Sequence, residues 1–349
     1  MKTFAPFTSS MPSAASTAST SLSRRRFVHA GMGAAAVASA MPLLSAAQDV
    51  YPSRPITLVV PFPPGGSVDI MARQFSEPLA RILGVPVVVD NRPGGGGSVA
   101  TLAVAHSKPD GYTLVTSSQS SHLANPLTQP KLRYDPLKDF ENITILGRQP
   151  NALSVNASVP VRTFAEFIAY AKKNPGKLDY GSGGVGSMGQ LNVEMLKATT
   201  KIFANHIPYR GGTQLITAVL SNEVQFNLDN LVIMLPHIES GKVRALAVAS
   251  EQRLPQLPDV PTFAELGYPQ LNLSSWTGIA APGGTPEPVV QKLYKAVRQA
   301  AADPAMQAAL RARGVIPPEE LPPAAFRRMM GERLQRYGEV VRTAKITAE

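Results

Sequence analysis

The sequence predicts an α/β fold made of two successive units, and three features carry that expectation. Short β-rich apolar runs alternate with helical periods, glycine-rich turns join them, and the chain ends in helices with too little strand to stand alone. In the first unit the runs are ITLVVPF, PVVVDN and YTLVTSS; in the second they are LSVN, LDYGS, NHIPY, VQFNLD and VRALAVAS. The C-terminal helices VVQKLYKAVRQAA, AMQAALRARG and AAFRRMMGERLQRYGEVV must pack back on an earlier sheet. This gives two lobes with two crossings between them: lobe 1 from residues 48–150 plus 278–349, and lobe 2 from residues 151–277.

The individual elements follow from local signals. In the first helix Val68, Met71, Phe75, Leu79 and Ile82 recur at three- and four-residue steps. Ser67 is the expected cap, Asp69 complements the positive helix end, and Gly84 closes the C-terminus. Thr163 with Glu166 and Thr262 with Glu265 read as capping boxes, and Thr285-Pro286 and Asp303-Pro304 each place proline at a first helical position.

With 349 residues, 44% hydrophobic and 17% charged, the chain can bury a substantial core. Residues 1–47 differ from the rest: SRRRF leads into a small-residue apolar stretch ending Ser45-Ala46-Ala47, the pattern of an export signal cleaved after Ala47. The order Ser-Arg-Arg-x-Phe indicates the twin-arginine route, with a general secretory signal as the alternative. Removing that segment removes four basic residues and no acid, lowering the formal charge from +10 to +6. The remaining charge is scattered, without the basic stripe and interleaved aromatics of a nucleic-acid surface. No later segment has the roughly 18 apolar residues of a membrane helix. Cysteine is absent, which excludes disulfides, thiolate metal sites and a cysteine nucleophile.

In open parallel sheets, ligands sit beyond the carboxyl ends of the strands, where loops enter helices and unpaired N–H groups converge. PFPPGGSVD occupies such a position: Gly65 and Gly66 let backbone approach an anion, and Pro63 and Pro64 stiffen the loop. A tight turn alone would explain that loop, but RPGGGGS (92–98), SSQSSHLANP (117–126) and GSGGVGSMGQ (181–190) repeat the arrangement.

GSGGVG also matches a dinucleotide fingerprint, yet the following KIFANHIPYR lacks the acid that such a site needs. No Walker loop and no G-x-S-x-G elbow occurs, so Ser182 and Ser187 read as hydrogen-bond donors to a ligand. His106, His122, His206 and His237 lack metal-ligand spacing, and no metal or cofactor is expected. Asp229, at the end of VQFNLD, either faces the cleft, accepting an ammonium or hydroxyl or orienting a loop, or is a plain cap.

At these residues the chain resembles the Bug, or TctC-type, extracytoplasmic solute-binding proteins. The resemblance covers nearly the whole chain beyond the signal, through YPSRPITLVVPFPPGGSVDIMAR, VVDNRPGGGGSVA, KPDGYTLV, YDPLKDF, YGSGGVGS, IPYRGGTQ, SGKVRALAVAS, LPDVPTFAELGY and WTGIAAPGGTP in order. It implies a two-lobed, type II-like Venus-flytrap periplasmic-binding fold that closes on a small organic carboxylate. Such a protein works as a monomer in the periplasm, performs no chemistry and delivers its ligand to the permease subunits of a tripartite tricarboxylate-type transporter. The same site would serve a sensor for a membrane signalling partner; an exported hydrolase is the remaining, weaker alternative.

By position, the resemblance implies ligand contacts from Phe62, Gly65, Gly66 and Asp69, from Ser117, Ser118, Ser121 and Asn125, from Ser182, Gly184, Gly186 and Ser187, and from Asp229. Gly211 and Gly212 are implied to line the same cleft, while Gln190 stands where the family often has histidine.

Overall fold

The computed structural model describes residues 51–344, so the export signal and its cleavage point lie outside the described residues. In chain order the first part contains β1 (Ile56–Val60), α1 (Ser67–Leu83), β2 (Val87–Asn91), α2 (Ser98–Ala105), β3 (Thr113–Ser118), α3 (Asn125–Thr128) and β4 (Phe140–Gln149). The second contains β5 (Asn151–Asn156), α4 (Phe164–Lys173), β6 (Asp179–Ser182), α5 (Met188–Thr200), β7 (Asn205–Pro208), α6 (Gly212–Leu220), β8 (Phe226–Asn230), α7 (Leu231–Glu239) and β9 (Val243–Ala249). Then come β10 (Ser275–Pro282), α8 (Glu287–Ala302), α9 (Pro304–Ala312) and α10 (Pro323–Ala344).

The strands form two five-stranded sheets, ordered β2-β1-β3-β10-β4 and β7-β6-β8-β5-β9. Each sheet repeats one plan: β1 lies parallel between β2 and β3, β6 lies parallel between β7 and β8, and an antiparallel strand completes each set. That antiparallel strand, β10 in one sheet and β5 in the other, enters directly from the opposite lobe. Only Pro150 separates β4 from β5 at the first crossing, and residues 250–274 make the second.

α1 carries its apolar face on Val68, Met71, Phe75 and Leu79, all buried, with Ile82 half-buried at the edge and Leu83 completing the contact. Against them pack Leu58 and Ile56 of β1, Ile279 of β10, and Leu293 and Val297 of α8. At about 25 cal/mol per Å² of buried apolar surface, each such side chain stabilises the lobe by roughly 1.5–3 kcal/mol. The second lobe is built likewise around Phe167, Tyr180 and Phe226, whose rings meet at 5.0 and 5.8 Å.

α10 ties the two lobes together. Phe326 and Met330 pack with Trp276, the Phe326 and Trp276 rings meeting edge-on at 5.1 Å. Tyr337 and Val341 join the core of the second lobe.

Several local expectations are corrected. Ser67 is the first helical residue and caps nothing, because Gly66 takes the extended N-cap conformation (φ −76°, ψ 165°). Asp69 supplies the missing acceptor, receiving the Gly65 N–H at 2.9 Å. Thr262 and Glu265 close a reciprocal box at 3.1 and 2.7 Å, yet the segment is only a turn. Pro286 stands just before α8 and Pro288 falls in its first turn, whereas Asp303 caps α9 with proline following, as expected.

Among the described residues no helix is long and apolar enough to cross a membrane, and no cluster of His, Cys, Asp or Glu could hold a metal ion.

Candidate functional site

The cleft is made by helix starts that meet between the sheets. α1 begins after the Phe62–Gly66 loop, α5 after Gly181–Ser187, α6 after Gly211, and α7 directly after Asn230. All four bring their first turns to one small cavity of about 70 Å³. Its walls include Phe62, Gly66 and Ser67 from the first loop, Ser118, Gln119 and Ser120 after β3, and Ser187, Met188 and Gly189 at α5. Gly211 and Gly212, then Asp229 and Asn230, complete it from the second lobe, and Gln149, Ser275 and Trp276 form the floor where the chain crosses between lobes. Four N-terminal turns place N–H groups and positive helix ends around one space, which favours an anion there.

A larger outer vestibule of about 830 Å³ adjoins it, sharing Phe62, Gly183 and Gly211 with the inner cavity. Its walls are mostly backbone and apolar side chains, among them Pro63, Pro93, Pro208, Val185 and the Gly94–Gly97 run. All four of those glycines have positive φ, and a Cβ on Gly97 would stand 3.0 Å from the Phe62 ring. Gly97 therefore leaves room for the Phe62 ring, which lines both spaces.

The lobes touch across the cleft. The Met188 N–H at the start of α5 donates to Ser120 Oγ at 3.2 Å, and the Thr213 hydroxyl donates to the Pro64 carbonyl at 3.2 Å. Gly211 lies against Pro63 so closely that a Cβ would come within 2.9 Å of Pro63 Cδ.

Of the residues singled out in the sequence, Phe62, Gly66, Ser118, Ser187, Gly211, Gly212 and Asp229 stand on the inner cavity wall. Gly184 faces the outer vestibule. Of the others, Gly65 is exposed, and Asp69, Ser117, Ser121, Asn125, Ser182 and Gly186 are buried off both walls.

Asp69 is 2% exposed and turned inward, accepting from Arg73 Nε at 3.0 Å, Asn91 Nδ2 at 2.9 Å and the Gly65 N–H. Burial alone would raise its pKa, but these hydrogen bonds, Arg73 foremost, outweigh it and hold the carboxyl below its ordinary value. Asp69 thus braces the first loop and fixes Gly65.

Ser121 is buried on Ser118 and on His122 Nδ1, and Asn125 donates to the Gly96 carbonyl. Ser117 is buried beside Gly278. Ser182 bonds His206 Nε2 at 2.7 Å and Gly184 O at 3.0 Å. Gly186 donates to Gln190 Oε1 at 2.7 Å, so Gln190 secures its own loop from behind.

Asp229 is half-buried, and burial pushes its pKa up to about 6, against a hydrogen bond from the Asn230 N–H at 2.7 Å. A Cβ on Gly189 would stand 2.4 Å from Asp229 Oδ2, so glycine is what lets this carboxylate lie against the start of α5. His122 and His206 both lose basicity to burial, with pKa values lowered to about 3 and about 4.

Sequence reasoning named the SSQSSHLAN segment without singling out Gln119 and Ser120, and it missed Gln149, Gly189, Asn230, Ser275 and Trp276. Gln119 and Ser120 lie inside SSQSSHLANP, and Gly189 inside GSGGVGSMGQ, so loop position could have found them. Trp276 and Gln149 become visible only once the crossings are located.

Two sheets of matching plan and a polar cleft between them define a two-lobed solute-binding protein. The family described as "Tripartite tricarboxylate transporter family receptor" matches residues 71–346, and the chain belongs to it. Protein BugT of Bordetella pertussis (strain Tohama I / ATCC BAA-589 / NCTC 13251) is 38% identical over 295 residues, spanning 84% of this chain and 90% of BugT. Among solved structures, one described as a periplasmic transporter superposes with a TM-score of 0.83 at 38% identity, covering 86% of this chain and all of the other. An R. palustris protein solved with adipate gives 0.82 at 35% identity, covering 85% of this chain and 99% of the other. MatC from Rhodopseudomonas palustris with bound malate gives 0.80 at 33%, covering 83% of this chain and all of the other.

Proposed function

We propose that this protein is a periplasmic receptor that encloses a small organic carboxylate between its lobes and hands it to the permease of a tripartite tricarboxylate-type transporter. The observation that carries the reading is the meeting of four helix N-termini, from both lobes, at one cavity with no cationic side chain among its lining residues. A carboxylate there is held by backbone and hydroxyl donors, and contacts with both lobes make binding and closure one event.

On this reading the lobes are residues 48–150 with 278–349 and residues 151–277, the signal sends the chain to the periplasm, and the monomer acts as a carrier without chemistry of its own. Similarity to proteins solved with adipate and malate supports a carboxylate ligand. The residues proposed to touch it are Phe62, Gly66, Ser118, Ser187, Gly211 and Asp229. Gly65, Asp69, Ser117, Ser121, Asn125, Ser182, Gly184 and Gly186 are proposed to shape the loops that do.

The test is a thermal-shift screen of protein freed of bound ligand against mono-, di- and tricarboxylates, aromatic acids and amino acids. A ligand at one hundred times its Kd adds about 2.7 kcal/mol of stability, and at least one acid is expected to raise Tm by several degrees. If none does and a nucleotide or ester does instead, the receptor reading fails.

A further inference from the structure

Resting on the reading of this cleft as a carboxylate site, we propose that Arg333 of α10 is its charge-selecting residue. Without touching the ligand, its guanidinium supplies from behind the cavity floor the positive potential by which the cleft takes an acid in preference to the uncharged amide of the same shape.

α10 lays one stripe against both lobes. Phe326, Met330, Tyr337 and Val341 are buried, and Arg333 fills the place between Met330 and Tyr337 that keeps the row at steps of three and four residues. There it is half-buried, and its Nη1 donates to the Ser274 carbonyl at 3.4 Å. Among the described residues it makes no ion pair. Burial lowers its pKa and the like charges of Arg148 and Arg336 add to this, but a guanidinium remains charged at neutral pH. A cation set in an apolar stripe without an acid beside it costs stability. Packing alone would be served by leucine or methionine.

Its position gives that charge a use. Ser275 and Trp276, the two residues after Ser274, form part of the cavity floor. One turn along α10 the Tyr337 hydroxyl receives Gln119 Nε2 at 3.2 Å, and Gln119 lines the same cavity. With consecutive Cα atoms about 3.8 Å apart, the guanidinium stands within about 10 Å of that space. Other basic groups around the cleft are neutralised: Arg73 pairs with buried Asp69, Arg148 pairs with Glu251 and Glu319, and burial keeps His122 and His206 uncharged. Arg210, at the vestibule, is exposed to water and salt. Asp229, the only ionisable side chain on the inner cavity wall, is an acid and opposes an anion. Arg333 offsets it. At an effective dielectric constant of about 20, two unit charges about 10 Å apart alter an affinity roughly tenfold.

The test is titration calorimetry at pH 7.5 on ligand-free protein with acids and their primary amides: hexanoate against hexanamide, benzoate against benzamide, and glutarate against glutaramide. The unaltered protein is expected to bind at least one acid about tenfold or more tighter than its amide. Arg333→Gln, which keeps a donor for the Ser274 carbonyl, is expected to weaken that acid about tenfold and to change the amide by less than about twofold. Arg333→Lys keeps the charge and should hold the acid within about threefold of its original affinity. Arg336→Glu changes an exposed residue and places a carboxylate near the guanidinium, so it should weaken the acid in the same direction. It serves if the glutamine variant does not fold. An acid unaffected by either change, acid and amide weakened together, or equal losses in the glutamine and lysine variants would make Arg333 a structural brace. Any of these overturns this inference and leaves the carboxylate receptor standing. Failure of every acid to bind the unaltered protein overturns both.

Discussion

Gly211→Ala is expected to weaken ligand binding by about 10- to 100-fold while leaving the fold intact. Gly211 sits at φ +106°, ψ 178°, a region that residues with a Cβ enter only at a cost of about 1–3 kcal/mol. The new methyl would also stand 2.9 Å from Pro63 Cδ on the opposite lobe. That second effect exists only when the lobes are together. Opening relieves it, so the variant biases the protein toward the open form and a ligand must offset the difference. Calorimetry with the best ligand from the screen gives the affinity, and circular dichroism melting of the ligand-free variant gives the control. Unchanged affinity would mean that the contact between Gly211 and Pro63 plays no part in closure. Gly66→Ala is the contrast: Gly66 has an ordinary φ of −76°, and its Cβ would meet nothing nearer than the Pro63 carbonyl at 3.5 Å. Its effect should therefore come from the ligand side alone.

The same pair of positions shows how far the residues could be read in advance. Glycines and prolines at strand ends singled out loops that stand at the inner cavity and the vestibule, since chain direction and the α/β alternation fix which end of a strand a loop leaves. The alternation also located β1, β2, β3 and the parallel strands of the second lobe. β4 and β10 escaped notice because they are buried along nearly their whole length and have no in-and-out pattern, and SWTGIAAP has too many small residues to stand out as a strand. Those two strands carry the crossings, so Gln149, Ser275 and Trp276 at the floor of the cleft were hidden with them.

Asp69 illustrates a different limit. A carboxylate in the first turn of a helix beyond a glycine-rich loop has the signature of a ligand contact. Here it is consumed by Arg73 one turn on and by Asn91 from the neighbouring strand. The spacing of four to Arg73 was legible; the approach of Asn91 required the parallel register that sets Val60 opposite it. Asp229 had the same ambiguity between cleft and cap, and only the fold places it on the cavity wall while its neighbour Asn230 stands at the N-cap of α7.

Acid should destabilise the ligand-free protein, and Asp229→Asn should make it more acid-sensitive still. His122 is fully buried on Ser121 and against Phe140 at 4.9 Å, and His206 stacks on Tyr180 at 4.8 Å; burial lowers their pKa values to about 3 and about 4. Unfolded, both titrate near 6.5. The unfolded chain therefore takes up protons that the folded chain refuses, and stability falls as pH drops from above 6.5 toward 4. At about 1.4 kcal/mol per unit, His122 contributes a loss of about 3 kcal/mol by pH 4, and His206, partly open to solvent and so discounted, about 1 kcal/mol. Asp229 works the other way. Its folded pKa of about 6 lies above the unfolded value near 3.9, so its contribution is present at low pH and is lost as pH rises through 6. Acidification to pH 4 thus returns about 2 kcal/mol through Asp229, leaving a net loss near 2 kcal/mol from these three groups. Asp229→Asn removes that return, so the loss between pH 7.5 and pH 4 is expected to grow to about 4 kcal/mol, with the variant the more stable protein at pH 7.5. Urea denaturation of both proteins at pH 7.5, 5.5 and 4 measures it directly. Parallel curves for the two proteins would mean that Asp229 titrates like an exposed carboxylate, and a flat profile in the variant would mean that the buried histidines accept protons without unfolding.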